Sequence, residues 1–152
     1  IIPTPGKNFT ILNDYAHKPD ALENVLSSVR GFAKGRTVVV FGCGGDRDRT
    51  KRPVMGEIAA RLADFSVVTS DNPRTEEPMA IIDDILAGMK GCTAYAVEPD
   101  RVKAIHYAMD HAQPGDVIVL AGKGHEDYQE INHRHFPMDE RVIVAQHLKE
   151  MQ

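Results

Sequence analysis

Short apolar runs alternate with amphipathic helical patterns along the chain, and this alternation is what most restricts its fold. Five runs are rich in β-branched or aromatic side chains: residues 9–13, 37–41, 66–69, 93–97 and 117–120. Several are apolar almost throughout, which is typical of strands covered on both faces. The alternation therefore predicts an α/β, Rossmann-like fold with an open, mostly parallel sheet and helices on both faces.

The segments between the runs carry apolar residues at intervals of three and four, as helices with one buried face require. Prolines occupy places that a first helical turn tolerates, at positions 19, 53, 78 and 99. Near the end, residues 128–131 and 134–136 flank Asn132-His133 and predict a C-terminal antiparallel hairpin. A last helix is expected from an N-cap at Asp139 to residue 148. Residues 1–8 contain two prolines and a glycine and are expected to be a connector before a domain spanning 9–152.

Composition excludes several classes of protein. The net charge of the 152-residue chain is -4, whereas a nucleic-acid-binding surface is basic. Apolar stretches are too short to span a membrane, so neither nucleic acid nor membrane is expected as a partner. Cys43 and Cys92 form no Cys-x-x-Cys pair, so a zinc site or disulfide framework is not expected. They are predicted to be small buried side chains in a cytoplasmic protein.

Polar and glycine-rich segments directly follow four of the five predicted strands. They are residues 14–17, 42–48, 71–74 and 121–126. In an open parallel sheet, ligands bind beyond the carboxyl ends of the strands, which lie at one edge. The sequence therefore predicts a binding site at this edge.

The glycines alone do not specify a ligand. A tight strand-to-helix turn would also explain Gly42, Gly44 and Gly45. The third glycine of a dinucleotide-binding fingerprint would fall at Arg47, and this argues against a dehydrogenase. The segment from Gly122 to His125 lacks the spacing and the Ser or Thr of a Walker A loop. If the protein uses ATP, we expect another domain to hold most of its phosphates.

Arg47 and Arg74 are the residues that most suggest an acidic ligand. A guanidinium binds a carboxylate through two parallel hydrogen bonds, which lysine cannot do. The turn Asp71-Asn72-Pro73-Arg74 would hold Asn72 and Arg74 rigidly, and Glu126 could accept an ammonium. The alternative for the arginines is a solvated surface position. No covalent nucleophile and no metal ligand set is expected.

Asp14 and His17 lie between the first strand and the following helix. An aspartate there can accept hydrogen bonds from ribose hydroxyls, and a histidine can stack on or hydrogen-bond a base. The alternative for both is local helix capping. The remaining histidines show no metal-ligand spacing and are expected to be structural or exposed.

Four blocks of residues resemble the C-terminal domain of Mur ligases. They are Asp14-Tyr15-Ala16-His17 with residues 19–23, residues 41–48 with 51–53, Ser70-Asp71-Asn72-Pro73-Arg74, and residues 122–126. The blocks occur in the order of that family and cover essentially the whole chain. Any one block is a weak signal, whereas the four together are highly specific.

The resemblance implies an ATP-dependent amide ligase of peptidoglycan synthesis, in which this domain binds the incoming amino acid. The N-terminal and central ATPase domains are absent from this chain. The phosphate loop and the Mg²⁺ sites of the family belong to the missing domains, so the isolated domain is expected to be inactive. Family positions assign Asp14 and His17 to ATP. They assign meso-diaminopimelate to Arg47, Asn72, Arg74, Gly122 and Glu126. The UDP-N-acetylmuramoyl dipeptide would be bound through the other domains.

The Asp-Asn-Pro-Arg form resembles the members that add diaminopimelate. This amino acid is lysine with one more carboxylate. Arg74 would pair with that carboxylate, whereas a bound lysine would leave Arg74 without this partner and facing an ammonium. A lysine-adding Mur ligase and a folylpolyglutamate-type ligase are alternatives within the superfamily. A nucleotide-binding module without catalysis is the alternative of another class.

Overall fold

The computed structural model describes residues 1–151 and contains one main sheet of five parallel strands. The strands are β1 (Thr10–Asp14), β2 (Thr37–Phe41), β3 (Phe65–Val68), β4 (Tyr95–Val97) and β5 (Val117–Ala121). All five predicted strands are confirmed, with ends that differ by at most two residues. Their order across the sheet is β1-β5-β2-β3-β4, so β5, the last of these five strands in sequence, lies between β1 and β2.

Five helices cover both faces of this sheet, as predicted. They are α1 (Pro19–Phe32), α2 (Lys51–Leu62), α3 (Pro78–Leu86), α4 (Arg101–Asp110) and α5 (Glu140–Glu150). The first three pack in one hydrophobic cluster with Val39 and Phe41 of β2. The other two pack in a second cluster with Val38 and Val40 of the same strand. Because neighbouring side chains of a strand point to opposite faces, β2 contributes to both cores and is buried throughout.

Local capping explains where several helices begin. Pro19 and Pro78 begin α1 and α3. Asp139 caps α5 by accepting a hydrogen bond from the Arg141 amide, which confirms that predicted start. The prediction that Pro99 lies in a first helical turn is wrong. It precedes Asp100, the N-cap of α4, and so lies outside the helix.

The predicted C-terminal hairpin is confirmed. Its strands, β6 (Tyr128–Ile131) and β7 (Arg134–Pro137), form a separate antiparallel sheet. Asn132 and His133 have φ of 49° and 64°, as expected at the two central residues of a tight hairpin turn. A single parallel bridge between Arg74 and Ile131 joins the hairpin to the loop after β3.

At the other end of the chain, Ile2 is buried and pairs antiparallel with Ile11 of β1. The division between a connector and the domain at residue 8 stays a prediction. Within residues 1–151, no helix is long and apolar enough to cross a membrane.

Candidate functional site

The loops after β1, β2, β3 and β5 meet at the carboxyl edge of the main sheet and enclose a cavity of about 430 Å³. Among its lining residues are all but one of the predicted site residues: His17, Arg47, Asn72, Arg74, Gly122 and Glu126. Asp14 is the exception. Its side chain is exposed at the end of β1, and its carbonyl oxygen accepts a hydrogen bond from the Gly122 amide at 2.9 Å.

The loops after β2 and β3 approach each other too closely for a side chain between them. The Gly45 amide donates to the Asn72 carbonyl oxygen at 2.8 Å. A Cβ on Gly45 would lie 1.8 Å from the carbonyl oxygen of Pro73. Thr75 also donates hydrogen bonds to the carboxylate of Asp46, which hold the pKa of that carboxyl below its usual value. The glycines therefore permit the contact that holds Asn72 and Arg74 beside the loop of Arg47.

Arg74 is held by both the hairpin and the glycine loop. Its Nε lies 3.2 Å from Oε1 of Glu130, and its Nη1 donates to the Gly45 carbonyl oxygen at 3.0 Å. Its backbone pairs with β6 on both sides, through Glu130 and Asn132. The guanidinium still lines the cavity, and it is held there in one orientation.

Lys123 lies beneath these residues and is completely buried. Its Nζ donates a hydrogen bond to Oδ1 of Asn72 at 2.5 Å and lies 3.0 Å from Oδ1 of Asp71. The second contact is an ion pair without hydrogen-bond geometry, because this oxygen of Asp71 has no hydrogen-bond partner within residues 1–151. Sequence reasoning missed Lys123 because it treated the segment as an incomplete phosphate loop. The available signal was a lysine two residues after a fully apolar strand.

Arg47 and Glu126 are oppositely charged residues that both line the cavity. Arg47 is exposed and donates to the carbonyl oxygen of Asp46 at 3.0 Å, so its Nη2 and Nε are open to a ligand. Glu126 is half-buried, with Oε1 3.6 Å from the Lys123 ammonium. Its negative charge raises the pKa of the Tyr15 hydroxyl above its usual value. The cavity thus offers both cationic and acidic side chains to a ligand.

His17 and Tyr15 form the exposed entrance to the cavity. The His17 ring meets the Tyr15 ring edge-on at 4.6 Å, and its Nδ1 lies 2.8 Å from the Tyr15 carbonyl oxygen. Neither Asp14 nor His17 caps α1, because the N-cap residue is Lys18 and its side chain makes no capping hydrogen bond. Both side chains are exposed and free to meet a ligand.

Two further buried arginines, to which no role was assigned from the sequence, support the loops. Arg52 donates to Glu76, Asp84 and the Gly44 carbonyl oxygen, and its hydrogen bonds to Glu76 raise the pKa of its guanidinium. Arg101 pairs with Glu140 at 2.9 Å, both side chains being inaccessible to solvent. It also donates to the carbonyl oxygens of Ser70 and Ala121, at the ends of β3 and β5. It thereby connects the two loops that carry Asn72 and Lys123.

Cys43 also lines the cavity, but it is not a nucleophile. Burial raises the pKa of its thiol to about 12, so the reactive thiolate is not populated near neutral pH. Its Sγ contacts Sδ of Met55 at 3.6 Å. Cys43 is buried as predicted, whereas Cys92 is only half-buried.

Residues 1–124 match the family described as "Mur ligase, glutamate ligase domain". The chain belongs to this family of Mur ligase domains. The resemblance inferred from the four sequence blocks is therefore confirmed. The match covers β1 to β5, the loops after β1, β2 and β3 and the first residues of the loop after β5, and it ends before Glu126.

Within the Mur ligase family, this chain is similar to ligases that carry one particular name. A UDP-N-acetylmuramoyl-L-alanyl-D-glutamate--2,6-diaminopimelate ligase from Synechococcus elongatus is 55% identical over 143 residues, which are 94% of this chain and 29% of that protein. The ligase of the same name from Geobacillus thermodenitrificans is 53% identical over 146 residues, or 95% of this chain and 30% of its own length. The chain thus spans less than a third of these relatives.

Solved structures agree with this similarity. A structure of a UDP-N-acetylmuramoyl-L-alanyl-D-glutamate--2,6-diaminopimelate ligase superposes with a TM-score of 0.90 at 42% identity, covering 95% of this chain and 30% of that one. A bifunctional folylpolyglutamate synthase/dihydrofolate synthase from Yersinia pestis, complexed with AMPPNP and Mn ion, has a TM-score of 0.59 at 16% identity. It covers 99% of this chain and 30% of its own, and it shows the shared fold alone.

Proposed function

We propose that this chain is the amino-acid-binding domain of a ligase that adds meso-diaminopimelate to UDP-N-acetylmuramoyl-L-alanyl-D-glutamate. The observation that carries the proposal is one cavity lined both by the donors Arg47, Asn72 and Arg74 and by the carboxylate of Glu126. Diaminopimelate has two carboxylates and two amines, so it needs both cationic and acidic partners. Relatives that are 53–55% identical to this chain over 143–146 aligned residues carry the name of that enzyme.

Arg74 is the residue that would select diaminopimelate. The far end of this ligand carries an ammonium and a carboxylate, whereas lysine carries only the ammonium there. A held guanidinium favours the carboxylate, and it loses that partner when lysine enters. Gly122 has a φ of 117°, which residues with a side chain rarely adopt, and a Cβ placed on it would lie 3.6 Å from the carboxylate of Asp71.

The nucleotide would lie at the entrance of the cavity. Asp14 offers exposed carboxylate oxygens of the kind that accept hydrogen bonds from ribose hydroxyls, and His17 offers an exposed ring for the adenine base. ATP supplies the phosphoryl group that activates the D-glutamate carboxyl of the second substrate. This domain would orient the amine towards the activated carboxyl and exclude water on closure.

The residues of this chain do not fit the magnesium ion of such a reaction. Within residues 1–151, no three His, Cys, Asp or Glu side chains are placed to hold a metal ion. We assign Mg²⁺ and most of the ATP phosphates to a central ATPase domain, and the UDP-sugar to an N-terminal domain. The isolated chain is then inactive. Because the substrates are ATP and a UDP-sugar, the reaction belongs in the cytoplasm.

The test is amide formation by the intact gene product with ATP, Mg²⁺ and the UDP-linked dipeptide. Diaminopimelate, L-lysine and L-glutamate are supplied separately, and we expect product with diaminopimelate at far higher kcat/KM than with the other two. Preference for lysine or glutamate would support the other ligases of the superfamily. Nucleotide binding without any product would support the non-catalytic module. Product from residues 1–152 alone would contradict the assignment of Mg²⁺, the ATP phosphates and the UDP-sugar to other domains.

A further inference from the structure

We infer that Lys123 is a positioning residue that fixes which end of the Asn72 amide faces the ligand. The inference rests on the proposed function and adds a specificity element to it. Lys123 is fully buried beneath the cavity, so it does not itself contact a bound amino acid. Its Nζ reaches Asn72 from β5's loop, across the boundary between two neighbouring loops of the site.

The amide of Asn72 has only one possible orientation here. Its Oδ1 accepts a hydrogen bond from the Lys123 ammonium and a second one from the backbone amide of Glu130 at 2.9 Å. Both of these groups can only donate, so the atom between them must be the oxygen and not the nitrogen. The two donors fill the two acceptor sites of the oxygen. The Nδ2 group is therefore the end of the side chain that is left for a ligand, and Asn72 lines the cavity.

This orientation makes Asn72 a hydrogen-bond donor beside the guanidinium of Arg74. A ligand carboxylate is a favourable partner for a donor next to a cation, whereas a ligand ammonium would meet two groups that cannot accept from it. Lys123 thus affects the choice of amino acid indirectly, through the orientation of the Asn72 amide. It holds Asn72 in the state that reads a carboxylate, while Asp71 at 3.0 Å balances its own charge.

Asn72→Asp is the variant that tests the orientation without removing the buried network. The aspartate keeps an oxygen for Lys123 and for the Glu130 amide, and it replaces the donor that faces the cavity with a second, anionic oxygen. In the intact ligase we expect kcat/KM for diaminopimelate to fall by about 100-fold or more, because a like charge then meets the carboxylate. Use of L-lysine, which lacks that carboxylate, should fall much less. Asn8→Asp is the matched control, since Asn8 is exposed and its carbonyl oxygen pairs with Gly115 at the opposite edge of the sheet.

Lys123→Met and Lys123→Gln test the positioning role itself. Methionine removes both charge and donor, so we expect a KM for diaminopimelate raised by about 10-fold or more and a smaller preference over lysine, with KM for ATP unchanged. Glutamine can still donate to Oδ1 of Asn72 and should recover part of that preference. Lys103→Met, on an exposed position of α4, is the control.

The outcomes separate the inference from the proposed function. A wild-type protein that forms no amide with diaminopimelate would overturn the proposed function. A wild-type enzyme that is active, together with an Asn72→Asp variant that uses diaminopimelate within about threefold of wild type, would overturn the inference alone. Lys123 variants that lose thermal stability but keep the wild-type preference for diaminopimelate over lysine would also overturn it, because a merely structural lysine gives that result.

Discussion

The two halves of the candidate site are built differently. The inner half, defined as Asn72, Arg74 and Lys123, is buried or nearly so, and each side chain has partners from a second loop. The outer half, defined as Asp14, Tyr15 and His17, is exposed, with Tyr15 56% accessible to solvent. Under the proposed function, this difference would mean that the domain completes its amino-acid pocket by itself and leaves the nucleotide side open towards another domain.

The largest effect should come from the internal support of the inner half. Arg101→Met leaves Glu140 as an unpaired buried charge and removes the donor to the carbonyl oxygens of Ser70 and Ala121. We expect the free energy of unfolding to fall by about 3–5 kcal/mol, measured by denaturant titration. Arg61→Ala is the control, because the ion pairs of that arginine are exposed to solvent and contribute little to stability.

A double variant sharpens this prediction. Arg101→Met with Glu140→Leu removes both buried charges and should recover most of the lost stability. It does not restore the donor to the two carbonyl oxygens, so binding of diaminopimelate should stay weak. Full recovery of binding would contradict the role of Arg101 in holding the two loops.

The next largest effect concerns the guanidinium of the inner half. Arg74→Ala should lower kcat/KM for diaminopimelate by about 100-fold, which corresponds to about 2.7 kcal/mol, since the ligand carboxylate loses its charged partner. KM for ATP should change little, and steady-state kinetics of the intact ligase measures both. Arg134→Ala, on the exposed strand of the hairpin, is the matched control. Equal losses for the two substrates would abolish the distinction between the halves.

A smaller effect is expected in the outer half. His17→Ala should raise KM for ATP by about 10-fold, because an exposed ring contributes less than a buried ion pair, and KM for diaminopimelate should not change. His111→Ala is a close control. Its Nδ1 also lies near a backbone carbonyl oxygen and its ring also contacts a tyrosine, but it lies away from the cavity. An unchanged KM for ATP would remove His17 from the nucleotide site.

The smallest effect tests an electrostatic interaction between Glu126 and the Tyr15 hydroxyl of the outer half. The negative charge of Glu126 disfavours the tyrosinate form of Tyr15 and so raises the pKa of its hydroxyl. Glu126→Gln should therefore lower that pKa towards its usual value. An ultraviolet absorbance titration measures it, with Tyr15→Phe to identify the signal among the four tyrosines. Glu150→Gln, on the exposed end of α5, should leave it unchanged.

The sequence was sufficient for the strands, helices and hairpin because their signals are local. Period and composition predict β2 and β6 with the bounds that the structure has, and a proline or an aspartate marks where α1, α3 and α5 begin. It was also sufficient for the edge on which the cavity lies, since the carboxyl ends of all parallel strands meet at one edge. Lys123 and Arg101 were missed because their burial depends on loops that come from distant parts of the chain.

What the sequence by itself determined, then, is the class of fold, the membership of the Mur ligase family and the set of residues that could meet a ligand. What only the tertiary structure decided is the order of the strands, the orientation of the Asn72 amide and the frame that Arg101 builds between Ser70 and Ala121. The physical reason is the range of the interactions. Periodicity and capping act over a few residues, whereas the partners of Lys123 and Arg74 lie 51 and 56 positions away and become neighbours only when the sheet has formed.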